Sequence, residues 1–225
     1  MATSAETSRI LRQFGLGAED LIGEGGESRV YAIDDGHILR IPREGAGDGS
    51  DREKMRAFLR WLDGQLPFAV PEIIDIGADE AYTVERRIAG RSLATFLKTA
   101  NNDARDRALR NYVAAIDAFR AVRLDTHPYG HLLAAKPIAA NDWRSFAWES
   151  LVRFRSANRV AIAREIGDPY RLFDKAVDLM QALPDHPGKV LVHGDCFPGN
   201  VLIDDHLEVT GVIDFGAFTV CGDPQ

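Results

Sequence analysis

The chain has 225 residues, 45% of them hydrophobic and 27% charged, which suits a folded protein of one large or two small domains and excludes a fibrous or disordered chain. Its net charge of −7 argues against a nucleic-acid backbone as partner, since such binders usually carry a basic face. The opening MATSAETSRILRQFGLGAEDL lacks a signal-peptide core, no window approaches the ~20 apolar residues that span a bilayer, and two cysteines with scattered histidines offer neither a disulfide framework nor a structural zinc site, so a cytoplasmic protein without membrane contact is expected.

From Leu21 to Ile88 the pattern is β-rich. Short apolar runs at 30–33 and 37–41 flank Asp34-Asp35-Gly36, whose turn chemistry predicts a hairpin. Residues 51–62 set Met55, Phe58, Leu59 and Leu62 on one helical face, and Pro67 and Pro71 close that helix off. Strands are expected again at 73–76 and 81–88. Ala89-Gly90 then marks the boundary between a first lobe, residues 1–88, and a second, residues 89–225. Beyond it, residues 103–124 carry Leu109, Tyr112, Val113, Ile116, Phe119 and Val122 on a helical stripe, with Asp103 as the expected N-cap. Residues 142–156 repeat the pattern with Trp143, Phe146, Ala147, Leu151 and Phe154. A third helix is expected from Asp168-Pro169, a cap followed by proline at the first helical position, with Leu172, Phe173, Ala176, Leu179, Met180 and Leu183 along it. These stripes read as core packing rather than as cofactor boxes. Strands first, helices second and strands last predict an α+β chain: a small β-rich lobe followed by a larger, mainly helical one.

Residues 22–31, IGEGGESRVY, gather Gly23, Gly25 and Gly26, a cluster that lets backbone approach a ligand and aim N–H groups at phosphate. A dinucleotide-binding glycine motif must open a helix, whereas a β-run follows here, so a Rossmann reading fails, and the P-loop pattern is absent. The glycine hairpin that covers nucleotide in protein kinases, GxGxxGxV, fits better through Gly23, Gly25 and Val30, with Ser28 at the third glycine. On the next strand, alternation puts Ile38 and Arg40 on one face, an apolar roof beside a cation able to grip phosphate. A surface strand cation is the plainer reading of Arg40.

The segment VLVHGDCFPGNVLIDDHLEVTGVIDFG, residues 190–216, carries the chemistry. Phosphoryl transfer to a hydroxyl needs a carboxylate beside the acceptor oxygen and oxygen ligands for Mg²⁺ against the phosphates. Asp195 can be the first; Asn200 and Asp214 can supply the second. The turn Asp204-Asp205-His206 joins strands expected at 201–203 and 207–213, which brings Asp214 back towards Asn200. Each residue alone could satisfy a loop or end a strand. Their joint spacing is a far stronger signal.

GEGGESRVYAIDDGHILRIPRE near the start, YTVERRIAGRSL in the middle and LVHGDCFPGNVLIDDHLEVTGVIDFGAFTVCGDP at the end resemble the aminoglycoside phosphotransferase family, small-molecule kinases with a protein-kinase-like two-lobe fold. The resemblance runs from about Leu21 onward. It implies Asp195 as catalytic base, Asn200 and Asp214 as Mg²⁺ ligands, His193 as loop support, and Arg40 as the phosphate-gripping cation with Glu53 as its ion-pair partner. Glu85 to Ile88 would be the hinge whose backbone meets adenine. ATP or GTP with Mg²⁺ would be the cofactors. The acceptor would be a small hydroxyl compound, such as an aminoglycoside or other antibiotic, choline or homoserine. Glu149, Asp168 and Asp174 could attract a cationic acceptor, though a solvated helix face accounts for each. Two departures stand out: arginine replaces the usual lysine at position 40, and the sequence stops before the helices that complete the family's second lobe, so either it is a fragment or part of the acceptor site is lacking. These departures keep open a nucleotide-binding module without catalysis as the alternative.

Overall fold

The computed structural model describes residues 4–43, 50–165, 169–182 and 188–222. Helix α1 (Ser4–Phe14), which the apolar pattern did not announce, precedes strands β1 (Leu21–Glu24), β2 (Ser28–Ala32) and β3 (His37–Pro42). The Asp-Asp-Gly turn closes the expected hairpin: Ile33 N–H donates to the His37 carbonyl, and β2 pairs with β3 from Ser28↔Pro42 to Ala32↔Ile38. Helix α2 (Arg52–Leu62) follows, capped by Asp51, whose carboxylate accepts from Lys54 N–H at 3.0 Å. Strands β4 (Ile73–Ile76) and β5 (Thr83–Arg86) complete an antiparallel sheet in the order β1-β2-β3-β5-β4.

Alternation along β3 decides what each sheet face does. Leu39 and Ile41 are buried against Ile10 of α1, Tyr31 and Ala81, so α1 roofs the outer face. Ile38 and Arg40 point the other way, into a cleft. Helix α2 packs elsewhere. Its buried Met55, Leu59 and Leu62 join the large core that also holds Phe119, Leu133, Leu191, Ile203 and Phe215, and Asp51 N–H bonds to the Leu133 carbonyl at 2.8 Å.

Strand β6 (Arg91–Ser92) then leads into α3 (Leu93–Leu97) and α4 (Asn102–Ala118). The cap of α4 is Asn101, whose side chain accepts from Ala104 N–H; Asp103 sits inside the first turn instead. Strands β7 (Tyr129–His131) and β8 (Ala139–Ala140), helices α5 (Trp143–Ala157), α6 (Arg159–Glu165) and α7 (Pro169–Ala182), and strands β9 (Val190–Val192), β10 (Val201–Ile203), β11 (Val209–Val212) and β12 (Val220–Gly222) complete the described chain. They make two small sheets, β11-β10-β6 and β8-β7-β12-β9. The expected cap Asp168 and the stripe residue Leu183 lie outside the described residues. Of the expected core stripes, Phe119, Val122 and Phe146 are buried, whereas Val113, Ile116, Phe154, Leu172 and Leu179 are exposed. No described helix is long and apolar enough to cross a membrane.

Candidate active site

Strand β9 delivers His193, Gly194 and Asp195 into the cleft. Gly194 has φ +83°, and a Cβ there would lie 2.1 Å from the Phe218 carbonyl oxygen, so only glycine fits this turn. His193 is 3% exposed and packs against Phe215 with ring centroids 4.4 Å apart and the planes tilted by 57°. Its Nδ1 accepts from Asp195 N–H at 3.2 Å, so its Nε2–H donates to the Ile213 carbonyl at 3.1 Å. Burial lowers its pKa below the ordinary 6.5 and keeps the ring neutral, the form this bonding needs.

A single 3₁₀ turn, Pro198–Asn200, then sets Asn200 beside Asp195. The Asn200 amide Nδ2 donates to the Asp195 main-chain carbonyl at 2.9 Å and lies 3.3 Å from its Oδ2. Ile213 N–H donates to the Asn200 carbonyl at 2.9 Å, which draws the β10–β11 hairpin back as its spacing implied. Asp214 follows at φ +68°, a left-handed conformation rare for non-glycine residues and common where function imposes strain. The buried Thr219 hydroxyl ties the two loops, accepting from Gly216 N–H and donating to the His193 carbonyl. Asp195, Asn200 and Asp214 thus line one cleft of about 450 Å³ with Gly23, Gly25, Gly26, Ser28, Val30 and Arg40 above them.

A second compartment of about 450 Å³ continues from the first through Gly23, Val30, Arg40 and Ile213. Ile22, Val30 and Ile38 line it from the sheet, with Leu202 and Ile213 opposite and Ile88 at the linker, an apolar wall rimmed by Arg86, Arg87 and Arg91. The glycine turn is closed by Gly25 N–H on the Ser28 carbonyl at 2.9 Å. A Cβ at Gly26 would meet nothing within 4 Å, so the protein's own packing does not demand glycine there.

Arg40 corrects the sequence reading. Its Nε donates to Glu85 Oε1 at 2.8 Å and its Nη2 to Oε2 at 3.2 Å, while Nη1 reaches the Ser28 hydroxyl at 3.2 Å and lies 3.9 Å from Asp214 Oδ1. Glu53, the expected partner, is 64% exposed at the start of α2 and pairs with Arg56. Glu85 is accordingly a buried residue of β5 whose side chain serves Arg40. Burial alone would raise its carboxyl, but the Arg40 charge and hydrogen bonds, with the Thr83 hydroxyl at 2.7 Å, hold it below the usual carboxylate range. In the linker itself, Arg86 N–H donates to Glu72 and Arg87 N–H to Gly36, so both donors serve the fold. Sequence reasoning passed over Thr83, whose signal was its place two residues from Glu85 on the same strand face, and Phe197 and Phe218, exposed aromatics lining the Asp195 end of the cleft. Glu149 and Asp174 are exposed on α5 and α7, away from the cleft lining.

For a metal, the donor set is one carboxylate and one amide oxygen. Among the described residues no three His, Cys, Asp or Glu side chains cluster as a closed metal cage. Asp214 is 49% exposed to the cleft, and because the Asn200 Nδ2 is committed to Asp195, its Oδ1 is the remaining donor. Two hard oxygens beside an open polyphosphate-sized space suit Mg²⁺, which usually takes few protein ligands and completes its shell from phosphate and water.

A glycine hairpin over a cleft, a half-buried cation at its roof and an HGD loop beside an Asp-Phe-Gly segment define a kinase-like phosphotransferase. The model of the phosphotransferase enzyme family (APH) matches residues 20–225, and the chain belongs to that family. Among curated proteins none matches significantly. Solved structures share the fold: a thermostable aminoglycoside phosphotransferase APH(4)-Ia variant with AMP-PNP and hygromycin B (TM-score 0.67, 23% identity, 99% of this chain and 74% of that one). The streptomycin–ATP–APH(2″)-IIa ternary complex gives 0.63, 15%, 100% and 75%. The GDP and kanamycin complex of APH(2″)-IIia gives 0.62, 20%, 99% and 75%. The α+β, protein-kinase-like two-lobe fold is therefore that of a small-molecule kinase.

Proposed function

We propose that the chain moves the γ-phosphate of ATP or GTP to a hydroxyl of a small molecule, with Asp195 as base and Asn200 and Asp214 as the Mg²⁺ ligands. The observation that carries this is the convergence of Asp195, Asn200 and Asp214 on one cleft beneath Arg40 and the glycine hairpin. We place the lobe boundary at 88/89, with α2 leaning on the second lobe's core.

In this reading Gly23, Val30, Ile38 and Ile88 enclose the base, and base contact by main chain falls to the linker from Ile88 onward. Gly25, Gly26 and Ser28 cover the phosphates and Arg40 grips them. The acceptor hydroxyl enters past Phe197 and Phe218. Asp195 accepts its proton as its oxygen bonds to the γ-phosphorus, and the bond to the β–γ bridging oxygen breaks so that the nucleoside diphosphate leaves. Mg²⁺ bound at Asn200 and Asp214 would neutralise charge on the β- and γ-phosphates. The neutral His193 ring keeps the Asp195 main chain in place throughout. An aminoglycoside acceptor, such as the streptomycin, kanamycin or hygromycin B named for the structural neighbours, fits the reading, as do choline and homoserine.

The test is ADP release with Mg·ATP over a panel of hydroxyl compounds that includes aminoglycosides. Asp195→Ala should lower turnover about 10²- to 10⁴-fold, the usual contribution of a positioned base, while calorimetric Mg·ATP affinity stays close to wild type. Unchanged turnover in that variant removes the base assignment.

A further inference from the structure

We infer that Glu85 is the positioning residue of the phosphate-gripping cation, and that the carboxylate setting the grip comes from the β-sheet and not from helix α2; this rests on the kinase reading above. From α2, Arg52 adds its charge beside Glu85. In the ladder, Ile38 stands opposite Glu85 and Arg40 opposite Thr83, so Arg40 meets Glu85 on the cross-strand diagonal at a spacing the backbone fixes. The contact is bidentate, with side chains only 15% and 7% exposed. Bidentate arginine–carboxylate pairs constrain direction as well as distance. Thr83 adds a third bond, from its hydroxyl to Glu85 Oε1, and holds the carboxylate from behind. With Nε and Nη2 turned to Glu85, Nη1 is the nitrogen aimed at Ser28 and Asp214, on the side where phosphate would lie.

Helix α2 does not supply this carboxylate. A small cavity of about 30 Å³ behind Arg40 is lined by Glu85 and Phe215, and from α2 by Arg52, Met55 and Leu59. The helix belongs to a different hydrophobic cluster from the sheet's outer face and is tied through Asp51 to Leu133. A grip built between two neighbouring strands is preformed before nucleotide arrives.

The charge sign makes the inference testable. Glu85 brings a negative charge towards the phosphates, so if its charge alone mattered, removing it would tighten nucleotide binding. If it orients Arg40, removal weakens binding. We expect Glu85→Gln to raise the calorimetric Kd for Mg·ATP at least 10-fold, Thr83→Val to raise it about 3-fold, and Glu53→Gln to change it less than 2-fold. On an Arg40→Ala background, Glu85→Gln should add less than 2-fold. Circular dichroism at the assay temperature certifies the folded state, and Thr83→Val, which keeps both charges, carries the test if Glu85→Gln does not fold. Tighter or unchanged binding in Glu85→Gln, effects additive with Arg40→Ala, or an equal loss in Glu53→Gln overturns the inference while leaving the kinase reading intact. A wild-type chain that does not bind Mg·ATP overturns both.

Discussion

His193 and Glu85 show how burial sets two residues to different tasks. The His193 ring accepts from Asp195 N–H on one side and donates to the Ile213 carbonyl on the other, so a proton on Nδ1 would break the bond that orients the Asp195 main chain. Burial lowers its pKa, so the unfolded chain takes up this proton at a higher pH than the folded one. The stability it supports is therefore complete above about 6.5 and is lost as pH falls below that value. Glu85 is likewise depressed, and its contribution is complete above 4.5 and lost as pH falls through its lower folded value. Acid unfolding should then proceed in two windows. Unfolding midpoints measured from pH 8 to 3 should fall first below pH 6.5. Because burial shifts His131 the same way and keeps contributing, the specific expectation is that His193→Asn shrinks this first window without abolishing it and leaves the second in place.

Elements with local signals were readable from sequence. The β2–β3 hairpin has its Asp-Gly turn, α2 has its cap and apolar face, and the chemistry between Asp195 and Asp214 lies within one short segment. What failed was non-local. The Arg40 partner lies 45 residues away in sequence and depends on how β3 and β5 align, which no local pattern encodes. Helix α1 has only a thin apolar stripe, Ile10 with Leu11 and Phe14, that gains meaning once the sheet exists to receive it. The stripe on α4 was read as core throughout, yet Val113 is 61% exposed while Tyr112 turns inward and donates its hydroxyl to the Cys196 carbonyl. That bond makes α4 a brace for the loop that carries Asp195, and burial raises the Tyr112 pKa, which keeps the donor protonated. Tyr112→Phe should cost about 1–3 kcal/mol in urea unfolding, the range for a buried acceptor left unpaired, and should lower turnover more than it changes nucleotide affinity. Equal losses in turnover and affinity would mean that α4 supports the whole cleft and not the Asp195 loop alone.

At the scale of the molecule, the question is what holds the five-stranded sheet in register over Asp195 and Asp214. The chain crosses between them at Ile88-Ala89-Gly90, and strand β11 grips that crossing. Thr210 donates its hydroxyl to the Ala89 carbonyl at 2.6 Å, and Ala69 bonds to β11 through Thr210 and Val212. The crowding there is tight: a Cβ on Gly90, at φ +130°, would lie 2.6 Å from Thr210 Oγ1, and one on Gly211 would lie 2.6 Å from Ile88 Cγ2. Ile88, Ile213 and Leu202 face the same slot, so the junction that joins the two sheets also shapes one wall of the slot proposed for the base. Thr210→Val keeps the volume and removes the bond. Stability should fall by about 1 kcal/mol, the net worth of one hydrogen bond, while the nucleotide KM rises several-fold with turnover at saturation nearly unchanged, because Asp195 and its loop are untouched. Steady-state kinetics across a nucleotide titration measure this split. A fall in saturated turnover with KM unchanged would place the junction's role in the chemical step and not in holding the base slot.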